Sequence, residues 1–261
     1  MTRSQKLRVA TYNIHKGVSA FNLHNRVHEL RLALATLQAD ILCLQEVQEV
    51  SARNAKRFAN WPIEPQSAFL AGADYHCVYG RNAVYAHGHH GNAILSKFSF
   101  DSSLNHDISD HRFEQRGMLH AVIDVAGRPV HCVNVHLGLF EQSRRRQADA
   151  LIALVEQAVP NDCPLVICGD FNDWNNRLTM RLASALDVRE VGVEQRTSAG
   201  AHYDLRGFHK PSRTFPSFLP WLTLDRIYVR GLRVKSSEVH GGRIWARVSD
   251  HAPLVADLVV G

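Results

Sequence analysis

This 261-residue chain contains no CxxC pair, no apolar run of membrane-spanning length, no low-complexity tract and no Pro/Gly/Ser-rich linker. Each absence removes a class of protein. Without paired cysteines there is no zinc ribbon or thioredoxin-type redox motif, and five cysteines cannot all be joined in a disulfide framework. Cys43, Cys132 and Cys168 lie inside apolar runs, where the expectation is a buried, reduced thiol. A membrane-spanning helix needs roughly 20 apolar residues, so no transmembrane segment is expected. Met1 to Lys6 lead into an apparent strand without the apolar core of a secretory signal, and a cytoplasmic protein is expected. Nothing in the composition divides the chain, so one domain over 1–261, acting as a monomer, is the economical reading.

The chain does contain the makings of a globular core. It is 45% hydrophobic and 21% charged, with a net charge of +5 that is compatible with a phosphate-bearing partner. Short apolar runs predict strands over 7–12, 41–44, 75–84, 93–100, 118–125, 130–135, 165–168, 224–229 and 254–259. Val27, Leu30, Leu34 and Leu37 recur at helical spacing behind a capping Asn25. Ala148, Leu151, Ile152 and Val155 mark one face of a second helix over Glu141–Ala158. Strand, helix, strand in this order indicates an α/β architecture.

Polar clusters sit at the ends of these runs, in Thr11-Tyr12-Asn13, Leu44-Gln45-Glu46-Val47, Asn134-Val135-His136-Leu137, Gly169-Asp170-Phe171-Asn172 and Ser249-Asp250-His251-Ala252-Pro253. Side chains at strand ends can meet at one point while the strands build the core. The groups available are carboxylates, amides and two histidines, with no obvious Ser or Cys nucleophile. Hard oxygen donors suit Mg²⁺ or Mn²⁺, and histidine moves protons, so metal-assisted hydrolysis is the expectation.

Glu46 and Asp170 are the first metal candidates, because a buried strand-end carboxylate is costly until a cation compensates it. Either one alone reads better as a solvated strand end or a helix cap. With Asn13 and Asp250 in matching positions, the set reads as a site. If Glu46 is clustered with other acids, Glu46→Gln should leave metal-free stability unchanged or higher. Asn172 could orient a water or serve as a turn residue. His136 and His251 are the proton-transfer candidates. Asp225, in Leu224-Asp225-Arg226-Ile227, could accept from the second ring nitrogen of His251 and set its tautomer. Asp250 is the poorer orienting partner, since neighbours on extended chain point to opposite faces. The stretch His87-Gly88-His89-His90-Gly91 lacks zinc-finger spacing and reads as a surface loop, and Arg144-Arg145-Arg146 as a solvated helix face.

Taken in order, the clusters resemble the endonuclease/exonuclease/phosphatase superfamily of DNase I-like nucleases, abasic-site endonucleases, neutral sphingomyelinases and inositol-polyphosphate phosphatases. Asn13 matches the family's first-strand Asn, and Leu44-Gln45-Glu46-Val47 its metal-binding Glu motif. Gly91-Asn92-Ala93-Ile94-Leu95-Ser96 matches the Gly-x-x-x-Leu-Ser strand, and Glu114-Gln115-Arg116-Gly117 the segment with a phosphate-contacting Arg. The His136, Asp170/Asn172, Asp225 and Asp250-His251 motifs follow in the family's order, so the resemblance covers almost the whole chain.

The resemblance implies a four-layer α/β sandwich, two mixed β-sheets face to face with helices outside. It implies phosphoester hydrolysis dependent on Mg²⁺, with Mn²⁺ as a substitute. Glu46 would ligate the metal with Asn13 and Asp250 in or near its shell. His136, Asp170, Asn172, Asp225 and His251 would be catalytic, and Arg116, Asn92 and Asn105 would contact phosphate or substrate. Two departures disfavour a dedicated abasic-site enzyme. Asn13-Ile14-His15 replaces Asn-x-Asp, and Asn105-His106 stands where that group has a Tyr. The expected activity is therefore a phosphodiesterase on a nucleic acid or phospholipid-type substrate, selected by loops 60–74, 87–91 and 191–222. One rival is a nuclease proper, favoured if Arg144 to Arg146, Lys210, Arg213 and Arg226 line one basic groove. The other is a non-catalytic binding member, which would have lost core positions that are all present here.

Overall fold

The computed structural model describes residues 4–19, 23–192 and 212–261. In chain order the first half runs β1 (Gln5–Asn13), α1 (Val27–Thr36), β2 (Ile41–Ser51), α2 (Ala52–Arg57), α3 (Gln66–Ala71), β3 (His76–Tyr85), β4 (Gly88–Ser96), β5 (Phe100–Asp107) and β6 (Gly117–Asp124). The second half runs β7 (Pro129–His136), α4 (Glu141–Ala158), β8 (Leu165–Asp170), α5 (Leu178–Leu186), β9 (Arg189–Glu190), β10 (Asp225–Arg230), β11 (Leu232–Val239), α6 (Arg243–Val248) and β12 (Leu254–Val260).

The strands form two six-stranded mixed sheets, ordered β11-β12-β1-β2-β4-β3 and β5-β6-β7-β8-β10-β9. Each sheet holds one parallel pair, β1/β2 bridged by α1 and β7/β8 bridged by α4. A parallel pair needs such a crossover, which brings both strand C-termini to the same edge. Asn13 pairs with Gln45 at one of these edges, and His136 with Asp170 at the other.

Alternation then decides what faces what. Val9, Cys43, Cys132, Val166, Cys168, Ile227 and Leu254 fill the space between the sheets. Tyr12, Leu42 and Leu44 turn outward onto α1, α3 and α6, while Val133, Val135 and Ile167 turn outward onto α4 and α5. The result is a four-layer α/β sandwich. Counting by twos along each strand from the inner apolar residues puts Asn13, Gln45, Asn134, His136, Asp170 and Asp225 on the inward faces as well. The polar cluster thus continues the inter-sheet core at one end. Cys43, Cys132 and Cys168 are free and buried in that core.

Several boundaries differ from the sequence reading. The strand expected over 93–100 is β4, Gly88–Ser96, so His89 and His90 lie on a strand and not on a surface loop. Val50 and Ser51 of β2 pair with His89 and Gly88, Ala83 of β3 pairs with His90, and the Tyr79 hydroxyl lies 3.0 Å from His89 Nδ1. Phe100 instead opens β5, which sequence analysis missed along with β11. Both are sheet-edge strands with mostly exposed or half-buried residues, so neither carries an apolar alternation. The N-cap of α1 is Arg26 and not Asn25, whose Oδ1 accepts from the first helical N–H, of Val27, at 3.0 Å from one residue further out. Among the described residues no helix is long and apolar enough to cross a membrane.

Candidate active site

Asp170 ends β8 with its carboxylate buried at the centre of the polar cluster. Oδ2 accepts from Asn13 Nδ2 at 3.0 Å and faces two imidazoles, His136 Nε2 at 3.6 Å and His251 Nε2 at 3.7 Å. Oδ1 accepts from the Asn172 N–H at 3.0 Å, and Asn172 Nδ2 donates to Leu137 O at 2.9 Å. Asn172 has φ +49°, a left-handed conformation that Asn tolerates better than most residues. One carboxylate therefore ties together β1, β7, β8 and the loop before β12.

His251 is held from the other side. Its Nδ1 lies 2.8 Å from Asp225 Oδ2, and the Phe215 ring packs on the imidazole with centroids 5.0 Å apart. Burial favours a neutral ring, but the adjacent Asp225 and Asp170 carboxylates outweigh it and push His251 up to about 10. Burial pushes Asp170 up to about 6; Asp225 adds to the rise, while His251 and the bonds from Asn13 and Asn172 oppose it. His136 goes the opposite way. Burial, followed by the neighbouring Arg116 guanidinium, holds it neutral, well below the usual histidine range. Arg116 Nη1 donates towards His136 Nδ1 at 3.5 Å, which leaves the N–H on Nε2, facing Asp170.

Glu46 and Asp250 form a second acidic locus beside this centre. Glu46 lies where the pairing of β2 with β4 slips between Leu44 and Val47, at φ +56°. Burial alone would neutralise Glu46, but Lys16, His136, His90 and His15 hold it ionised well below the usual carboxylate range. Lys16 Nζ is 3.3 Å from Oε2, and His15 Nδ1 is 3.2 Å from Asp250 Oδ1. The hydrogen bond to Asp250 raises His15. Asn13 Oδ1 accepts from the His15 N–H at 3.1 Å, so Asn13 bridges the two loci. The charged groups nearest Glu46 are thus Lys16, in contact, and His15, so neutralising Glu46 removes the partner of Lys16, contrary to the expectation that it only relieves crowding among acids.

The donor set fits a hard divalent cation. Glu46 Oε2 is buried with Lys16 Nζ as its one near cation and no geometrically aligned hydrogen bond, and Asp250 and Asn13 supply further oxygens. Asp170, Asp225 and His251 also have ligand atoms within 4.8 Å of one another, but there the short Asp225–His251 contact already uses the ring nitrogen.

The remaining predicted residues are placed as follows. Arg116 reaches His136 and donates to Glu114 Oε1 at 3.2 Å. Asn92 Nδ2 donates to Gly117 O at 2.9 Å and Asn134 O at 3.3 Å, while its Oδ1 is buried and unpaired. Asn105 joins none of these groups; its Nδ2 donates to Arg81 O and Asn82 Oδ1 at 3.1 and 3.2 Å. Sequence analysis gave no role to His15, Lys16 or Phe215 and placed His90 on a surface loop; the glycine after Lys16 and the proline after Phe215 are the local turn signals that flag them.

The condition that would favour a nuclease, one continuous basic groove, is not met by the described arginines. Arg144 is buried, donates to Gly138 O and Leu139 O, and lies over the Trp174 ring at 5.4 Å. Arg145 and Arg146 pair with Glu141 and Asp110. Arg226 is buried on Glu190 at 2.9 Å. Arg213 is exposed, and Lys210 lies outside the described residues.

Residues 10–251 match the Endonuclease/Exonuclease/phosphatase family. The chain belongs to this family. Family members are generally hydrolases acting on phosphoester bonds and generally use a divalent metal. YbhP of Escherichia coli K12, an uncharacterized protein, is 38% identical over 262 residues, covering 98% of each chain. An endonuclease/exonuclease/phosphatase from Beutenbergia cavernae superposes with a TM-score of 0.73 at 18% identity, covering 98% of this chain and 72% of that one. D. rerio TDP2 complexed with a single-strand DNA product gives 0.67 at 18% identity, covering 97% and 98%. At such identities the structural likeness speaks to the fold.

Proposed function

We propose that this family member is a Mg²⁺-dependent phosphodiesterase acting on a nucleic acid or phospholipid-type diester, with Mn²⁺ able to replace Mg²⁺. The observation that carries the reading is the meeting of Asn13, His136 and His251 on Asp170 Oδ2, beside the buried Glu46 carboxylate. Glu46, with Asp250 and Asn13, would hold the metal, which when bound neutralises charge on the phosphate and on the leaving oxygen. A water at Asp170 is oriented by that carboxylate, and Asn172 fixes the carboxylate through its N–H. As the water oxygen bonds to phosphorus, its proton passes to the Asp170/His251 pair and the ester P–O bond breaks. Asp225 keeps His251 oriented throughout. His136 and Arg116 face the non-bridging oxygens as hydrogen-bond donors. The departing oxygen takes up a proton, and the products are a phosphomonoester and a free hydroxyl, formed without a covalent intermediate.

Hydrolysis of bis-p-nitrophenyl phosphate should be lost in excess chelator, return with Mg²⁺ or Mn²⁺, and survive thiol alkylation of the folded protein. The three core cysteines are unreachable and face no reacting group. Full activity after metal-free dialysis would overturn the metal assignment.

Glu46→Gln should weaken Mg²⁺ binding, measured calorimetrically, by more than about tenfold. Apo stability should fall by about 1 kcal/mol, because the partner of Lys16 is lost. Unaltered Mg²⁺ affinity would move the metal elsewhere.

A nuclease remains the second reading, favoured by the single-strand DNA product in the D. rerio relative.

A further inference from the structure

Four loops leave the candidate site, and each carries large apolar side chains in solvent. The 137–140 loop follows His136 directly and exposes Leu139 and Phe140. The loop after Asp170 and Asn172 exposes Trp174. Next to Arg116, Phe113 is 82% exposed, with the Arg112 guanidinium 4.7 Å above its ring. The loop whose Phe215 covers His251 exposes Phe218 at 76%, Leu219 and Trp221.

These loops form one framework. His111 lies 6.4 Å from the Phe113 ring and 6.1 Å from Phe140, and Glu114 accepts from the Leu139 N–H at 2.9 Å. Arg144 joins Leu139 O to the Trp174 ring. Arg226 donates to Asp173 O at 3.2 Å and to Thr223 O at 3.3 Å, which ties the Trp174 loop to the Trp221 loop. The exposed side chains are therefore held out by buried arginine anchors.

We infer that this rim docks on an anionic phospholipid bilayer, so that the site receives a phosphodiester at the membrane surface. The inference rests on the phosphodiesterase reading for its substrate but not for its binding. Aromatic and aliphatic tips on separate loops suit insertion between headgroups, where Trp and Phe are favoured and Leu gains by burial. They suit a polynucleotide less well. Leucines do not stack on bases, and four of the arginines near the site are already paired: Arg116 with Glu114, Arg145 with Glu141, Arg146 with Asp110 and Arg226 with Glu190. A phosphate backbone needs a track of free cations, whereas an anionic surface is served by scattered ones near its plane, such as exposed Arg112 above Phe113 and exposed Arg213 on the Phe218 loop.

The test is co-sedimentation of the full chain with vesicles of phosphatidylcholine and phosphatidylglycerol, alongside the emission shift of its tryptophans. Two double variants remove apolar tips without touching the site, Phe113→Ser with Phe140→Ser and Phe218→Ser with Leu219→Ser. Thermal melting confirms that each folds. Wild type should partition to the vesicles with a blue shift, and each double variant should bind at least about tenfold less. His251→Ala should bind as wild type does, because partition requires no turnover. Vesicle binding without hydrolysis of any diester would sink the phosphodiesterase reading and leave the docking surface standing. The inference is overturned by absence of vesicle binding, or by variants that partition like wild type. It is overturned equally if the variants lose only binding to an oligothymidylate, or only a concentration-dependent self-association seen by sedimentation velocity.

Discussion

Replacing His251 with Ala is expected to lower turnover of a phosphodiester by about 10²- to 10⁴-fold, the usual contribution of a positioned acid–base group. Asp225→Asn should also lower it, and the two losses should not multiply. Asp225 Oδ2 lies 2.8 Å from His251 Nδ1, so the carboxylate acts on the reaction through the imidazole. Asn is nearly isosteric but cannot hold the ring as a cation, so the fold should persist while the orientation and charge are lost. The double variant should therefore be about as slow as His251→Ala alone. A double variant whose loss equals the product of the single losses would show that the pair is not a unit.

Arg226→Ala should produce the largest loss of stability, about 3–5 kcal/mol, from leaving a buried carboxylate unpaired. Arg226 Nη1 bonds both Glu190 oxygens at 2.9 and 3.0 Å and Thr179 Oγ1 at 3.1 Å. Its other nitrogen serves the backbone of Asp173 and Thr223. Both side chains of the ion pair are almost completely buried, so water cannot replace the lost partner. Adding Glu190→Leu to the variant should restore part of the loss by removing the orphaned charge. Urea unfolding measures both; a loss below about 1 kcal/mol would mean that the pair is solvated in solution.

The same residue marks the limit of sequence reading. Leu224-Asp225-Arg226-Ile227 shows an apolar strand with two charges. Strand alternation points Asp225 inward beside His251 and turns Arg226 to the outer face, where a cation facing solvent is the ordinary expectation. What buries it is Glu190 on a two-residue strand with no apolar pattern of its own. Arg144 is similar: three consecutive arginines opening a helix read as solvated, yet one closes the 137–140 loop against Trp174. Glu46 was legible as a strand-end carboxylate. Its compensation by Lys16 was not, because that contact depends on a tight 3-10 turn over His15–Gly17.

The sequence by itself determined the α/β alternation and which polar and apolar residues share a strand face, while the four layers were implied by the family resemblance. Apolar periods of two and 3.6 are local, and counting by twos from Val9, Cys168 and Ile227 already aims Asn13, Asp170 and Asp225 at the inter-sheet space. Only the tertiary structure decided which of those groups touch. Asn13 and Asp170 are 157 residues apart, and each belongs to a different sheet. Their 3.0 Å contact, and with it the charge state of every neighbour, follows from how two sheets are packed face to face. That packing is set by the summed burial of side chains from all the described strands, which no local stretch of sequence contains.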